Sequence, residues 1–202
     1  MKHVMSVSIG SSKRDHKVET EILGEKFIIE RVGTDGSIEK AIEIIKENDG
    51  KVSAFGMGGI DLYVCIGNKR FTIRDAVPIA QAAKISPIVD GSGLKNTLER
   101  RVVNYLAENK IVDFEGKKVL LVCGLDRFGM AEALDKTGCK LTFGDLIFTV
   151  GVPIPIRSLK SLNILASILA PIICKLPFNM LYPTGEKQEK KAGSSKYESF
   201  YN

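Results

Sequence analysis

The chain has 202 residues, 44% of them hydrophobic and 26% charged, and carries a formal net charge of +5. That is an ordinary balance for a globular protein with room for one good-sized domain or two small ones. Tryptophan is absent and no basic stripe is interleaved with aromatic residues, so the composition points away from nucleic acid.

Apolar and polar residues alternate over 4–9 and again over 17–23, around Gly10-Ser11-Ser12-Lys13-Arg14-Asp15, which predicts a β-hairpin. A third strand follows over 25–32. Thr34-Asp35-Gly36-Ser37 then opens a helix in which Ile38, Ala41, Ile42 and Ile45 recur at helical spacing, and Gly50 closes it. Residues 51–55 read as a buried strand running into Gly56-Met57-Gly58-Gly59. LYVCIGNKRFTI is a second hairpin, turned at Gly67-Asn68. A helix over 75–84 tolerates Pro78 in its first turn. A short strand over 87–89 then leads through DGSG into the helix LKNTLERRVVNYLAENK. Past Gly116, the stretch VLLVCGLDRFGMAEALDKTGCKLTFGDL reads as strand, glycine turn, helix, strand and acidic residue.

Strands therefore alternate with helices through most of the chain. The expected fold is α/β, a mixed sheet with β-hairpins in the N-terminal half and a Rossmann-like βαβ unit in the C-terminal half. The expected division is an N-terminal α/β domain over 1–113 and a partial Rossmann-like unit with an apolar helical segment over 114–185. Residues 186–202, polar and lysine-rich, read as a disordered tail.

Cys65, Cys123, Cys139 and Cys174 form no CxxC pair, and the only histidines are His3 and His16. The expectation is reduced thiols in a cytoplasmic protein, with no metal site. The N-terminus lacks the apolar core of a signal peptide. Uncharged residues 161–174 would reach only roughly 21 Å as a helix, against a hydrocarbon core of about 30 Å. Pro171 also interrupts the run, so a buried or interfacial helix is expected rather than a membrane span. The wider apolar stretch over 159–182 suggests a homo-oligomer held through exposed surface.

Three glycine turns could face a small molecule. Gly56-Met57-Gly58-Gly59 follows a strand, but another strand follows it. Either it is a tight bend or it offers backbone to a substrate, with Asp61 as a polar contact. Asp90-Gly91-Ser92-Gly93 joins a strand to a helix, where first-turn N–H groups lack acceptors and Lys95 can project toward the same mouth. Gly124-Leu125-Asp126-Arg127-Phe128-Gly129 carries the first and third glycines of GxGxxG, with Asp126 in place of the second. A carboxylate there repels phosphate, although Arg127 could offset it. Asp145 lies 21 residues beyond Gly124, where an acid would bind the ribose of NAD. The same unit also reads as a purely structural βαβ.

The motifs SIGSSKRDHKVE, GMGGIDLY, RDA, VDGSGLKNTLERR, DRFGMAEAL and FGDLIF…GVPIPIRSL, spread from Met1 to about Lys190, resemble a bacterial family found mainly in clostridia and their relatives. Its members are called quinate 5-dehydrogenase. Beside them the chain looks C-terminally short. The resemblance implies hydride transfer between a quinate- or shikimate-like cyclic hydroxy acid, the small-molecule substrate, and NAD. In that reading Lys95, its pKa lowered, and Asp90 would move the hydroxyl proton. Ser11, Ser12, Lys13 and Arg14 would grip the substrate carboxylate. Gly124, Asp126, Arg127, Gly129 and Asp145 would hold the cofactor. The alternative from the residues alone is a non-catalytic metabolite- or nucleotide-binding module, its ligand at the helix starts near Gly91–Gly93 and Gly124–Gly129. Phosphoryl transfer ranks last, for want of a phosphate loop.

Overall fold

The computed structural model describes residues 1–178, so the expected tail over 186–202 lies outside the described residues. Its main sheet is built on β1 (Lys2–Ser8), whose Met5, Val7 and the following Ile9 are buried. Those three share one face, the opposite face holds the buried Ser8, and β1 is flanked in parallel by β3 (Glu25–Gly33) and β4 (Ala54–Gly58). β2 (His16–Ile22) is exposed along its whole length and forms the antiparallel edge against β3. β7 (Ile88–Val89) closes the other side in parallel with β4, giving the order β2-β3-β1-β4-β7.

The expected hairpin of the first two strands is not formed. The hairpin is β2 with β3, turned at Leu23-Gly24, both with positive φ (52° and 79°). Alternation identifies a strand but not its partner. Here the charged, two-side-exposed HKVETEI suits an edge, where such residues discourage pairing with other chains.

Ser37 caps α1 (Ile38–Asn48) as the sequence suggests, its hydroxyl accepting the Lys40 N–H at 3.1 Å, and Ala41 and Ile45 face the core. α1 carries the chain from β3, on one side of β1, to β4 on the other. The crevice of such a sheet opens at the carboxyl ends of the strands that flank this reversal. Asp49, just past α1, accepts the N–H groups of Ser86 (2.8 Å), Lys84 (2.6 Å) and Ile85 (3.0 Å). These bonds, the Ser86 one foremost, hold its carboxyl below the usual aspartate range. They also draw the chain out of helix early. The helix expected over 75–84 is a 3₁₀ turn, Arg74–Ala76, followed by one short α2 (Val77–Ala80).

Between β4 and α2 stands the hairpin of β5 (Tyr63–Ile66) and β6 (Lys69–Thr72). α3 (Ser92–Glu108) follows β7. The second half holds a parallel βαβ unit, β8 (Lys118–Leu121), α4 (Phe128–Asp135) and β9 (Lys140–Phe143), then α5 (Asp145–Val150) and α6 (Leu159–Ile173). The fold is thus α/β with a mixed sheet, as read from the sequence. α3 lies along α4, tied by Arg100 to Glu132 at 2.5 Å.

One buried cluster lies around Val7, Ile45, Phe55 and Ile79, and another around Phe128, Phe143, Leu162 and Ala166. Val64 and Phe71 of the β5–β6 hairpin pack against both. α6 buries Leu162, Ala166 and Ala170 but leaves Ile164, Ile168 and Ile172 exposed, so it is half buried rather than enclosed. Among the described residues no helix is long and apolar enough to cross a membrane.

Phe55 is fully buried in the first cluster. Phe55→Ala is expected to lower unfolding stability by about 3–5 kcal/mol, from lost transfer energy and the cavity left behind, measured by urea denaturation.

Candidate functional site

The end of β7 delivers Asp90 to the carboxyl edge of the sheet. Its carboxylate accepts the N–H groups of Leu62 (2.6 Å) and Tyr63 (3.3 Å) and the Ser92 hydroxyl (2.8 Å). Asp90 therefore fastens the chain after β4 to the start of α3 and is not the partner of Lys95, correcting the expected pair. Lys95, one turn into α3, reaches Asp61 Oδ2 at 2.5 Å and both oxygens of Asp126 at 2.8 and 2.9 Å. A loop of the main sheet, a helix and the turn before α4 thus converge on one ammonium.

Burial works against the charge on Lys95, but its bonds to Asp126 and Asp61 prevail and raise its pKa above the ordinary lysine value. This is the reverse of the lowered pKa expected of a general base. Burial raises the Asp61 carboxyl, with Asp126 and Asp90 adding to the effect against the bond from Lys95. Lys95 is a fixed cation at neutral pH, and Asp61 gains a proton more readily than an ordinary aspartate as pH falls.

The glycine turn before α4 is taken up by protein. Asp145 is 7% exposed and accepts the N–H groups of Gly124 (2.9 Å) and Leu125 (2.8 Å), so it turns inward rather than toward a ribose. Cys123 donates weakly to the same carboxylate at 3.6 Å, and burial pushes its thiol up to about 11, with Asp145 adding to the rise. A Cβ on Gly124 would lie 2.5 Å from the Phe143 ring and 2.8 Å from Leu162, and one on Gly129 would lie 3.0 Å from the Asn96 carbonyl. Both glycines serve close packing. Arg127 is paired with Glu99 and Asp126 with Lys95. The space left beside Asp126, Phe128 and Gly129 is about 10 Å³, room for roughly one water. These residues do not fit a dinucleotide diphosphate.

Ser11, Ser12, Lys13 and Arg14 form no hairpin turn but a 3₁₀ turn at the end of β1. Ser11 is buried, its hydroxyl accepting the Lys13 N–H at 3.3 Å and its carbonyl accepting from Arg31 at 3.0 Å. The Ser12 N–H donates to Asp35 at 2.7 Å, while Asp15 takes Arg31 at 2.8 Å and the Gly33 N–H at 2.6 Å. Lys13 and Arg14 are exposed, and the Arg14 guanidinium reaches back over Gly10, where an added Cβ would meet it at 2.7 Å.

The larger opening lies between the β5–β6 hairpin and the start of α3, a cavity of about 470 Å³ lined by Tyr63, Cys65, Lys69, Arg70, Ser92 and Thr97 among others. Sequence reading placed a candidate ligand at the helix start near Gly91–Gly93, one wall of this cavity, but took Gly67-Asn68 only as a turn and missed the hairpin wall. The one available signal was Lys69-Arg70 directly after that turn. Among the described residues no group of histidine, cysteine and acidic side chains could hold a metal ion.

Residues 93–202 match the family described as Domain of unknown function (DUF8754), and residues 3–90 match that described as Domain of unknown function (DUF8753). The N-terminal match ends just before α3 and the C-terminal one begins within its first turn, at the cavity wall. No curated protein matches the chain.

Lys95→Met would leave Asp61 and Asp126 facing each other without a countercharge. It is expected to cost about 2 kcal/mol at neutral pH, less than for a fully buried pair because the site is partly solvated. The deficit should shrink as pH falls and Asp61, whose carboxyl burial holds above the ordinary aspartate range, takes up a proton; denaturant titrations at neutral and acid pH check this. In the wild type the stabilisation from Lys95 is whole below about pH 10.4 and is lost as pH climbs through its raised folded pKa. Asp145→Asn should lower stability by about 1–3 kcal/mol, since one backbone N–H loses its acceptor, again read by denaturant.

Proposed function

The chain belongs to the family described as Domain of unknown function (DUF8754), and we propose that this member is a non-catalytic binding module for a small polar metabolite. The ligand sits in the cavity of about 470 Å³ between the β5–β6 hairpin and α3. That cavity is the observation that carries the reading: its volume falls in the usual range for small-molecule sites. One of its walls is the start of α3, the helix that follows β7 at the edge of the main sheet. Its walls mix hydroxyl, amide and aromatic groups, which suit a polar, hydroxylated compound.

Nicotinamide-dependent oxidation of a quinate- or shikimate-like acid is supported less well. It requires a base of lowered pKa, whereas Lys95 is clasped by two aspartates. It also requires a diphosphate site away from α4, whose start is occupied by neighbouring side chains. The four cysteines are all free, which suits the reducing cytoplasm. The exposed Ile164, Ile168 and Ile172 suit self-association.

A thermal-shift screen of polar metabolites should give compounds that raise Tm, and Thr97→Trp, which fills the cavity, should remove the effect. NADH at millimolar concentration should show no fluorescence change. Tight NADH binding that Thr97→Trp abolishes would replace this reading with the dehydrogenase.

A further inference from the structure

We propose that the ligand of this cavity carries an oxyanion head, phosphate or carboxylate, gripped by Arg70 and Lys69; this rests on the cavity being the binding site. Among the residues that line it, two carry positive charge and none carries a carboxylate. Three cations on the neighbouring elements are already answered: Lys95 by Asp61 and Asp126, Arg100 by Glu132, Arg127 by Glu99. Lys69 and Arg70 form no ion pair among the described residues.

Arg70 is held in place without its charge being neutralised. Its guanidinium lies 4.2 Å from the centre of the Tyr63 ring, a cation–π contact that uses the flat face of the group. The N–H edges remain available for the paired, charge-assisted hydrogen bonds that arginine makes to carboxylate and phosphate. Lys69 follows the turn on the same hairpin and lines the same space. Across the cavity stand Ser92, Gly93, Asn96 and Thr97, with open space where a Cβ on Gly93 would lie. The first-turn N–H groups there have no acceptor within their helix and add to the preference for an anion. The rest of a molecule the size of a mononucleotide or tricarboxylate fits the remaining volume and meets the polar groups.

Cys65, cross-strand partner of Arg70 and part of the cavity wall, reports occupancy. Its alkylation by iodoacetamide in the full chain is followed by peptide mass mapping, which separates it from the other cysteines. The probes are AMP, citrate and inorganic phosphate, with adenosine as the neutral counterpart of AMP. AMP and phosphate slowing the labelling while citrate does not identifies a phosphate head, and the converse a carboxylate. Adenosine should not protect, and added salt should weaken protection. Arg70→Met and Lys69→Met should each weaken protection by about tenfold, with Arg70→Lys retaining part of it and circular dichroism unchanged. Protection by adenosine equal to that by AMP, or full protection in Arg70→Met, overturns the anion grip while leaving the cavity as a site for neutral ligands. No protection by any of the three anions also overturns it. If, in addition, no compound in the thermal-shift screen acts through Thr97, the cavity reading falls with it.

Discussion

One ammonium group holds this molecule's site together. Lys95 projects from the first turns of α3 to Asp61, beyond β4, and to Asp126, ahead of α4. Without it, two carboxylates from different halves of the chain would face each other in a partly buried space. Removing one member of such a cluster costs more than the intact cluster contributes, because desolvation consumes most of the Coulomb gain. The cluster therefore acts through position more than through net stability: it sets where α3 begins relative to the loops at the sheet edge.

That placement makes the cavity. Asp90 pins the backbone ahead of β5 to the same region, so the β5–β6 hairpin stands opposite the start of α3. The hairpin in turn packs Val64 and Phe71 against both apolar clusters. Beyond α6 the chain returns to the first cluster, with the Arg74 N–H on the Cys174 carbonyl at 2.8 Å and the Phe178 N–H on Asp75 at 2.8 Å. Small-molecule sites commonly lie where two packed units meet.

Much of the fold was legible because it depends on local chemistry. The Ser37 cap, the alternation of β1, the Gly67-Asn68 turn and the βαβ unit around α4 follow from residue type and spacing. Strand partnership did not: the first two strands read as neighbours, yet β3 lies between β1 and β2. The glycine turn misled for a physical reason. Gly124 and Gly129 have the spacing of a phosphate-binding turn, but the demand they meet is packing against Phe143, Leu162 and Asn96. Asp145 has the spacing of a ribose acid, but its carboxylate bonds that turn from within. Spacing records that a backbone must be approached closely, not by what. Lys95, Asp61 and Asp126 each stood out in the sequence, but their convergence arises from tertiary packing across more than thirty residues on either side of Lys95.

The central claim is that Lys95 is a permanently charged tie and not a proton-transfer base. Its Nζ resonance, followed by NMR in selectively labelled protein from neutral pH upward, tests this directly. The account predicts a charged ammonium throughout the neutral and mildly alkaline range, with its midpoint above about 10.4, the value of a free lysine side chain. A midpoint near pH 7–8, the range suited to a catalytic lysine, would contradict it.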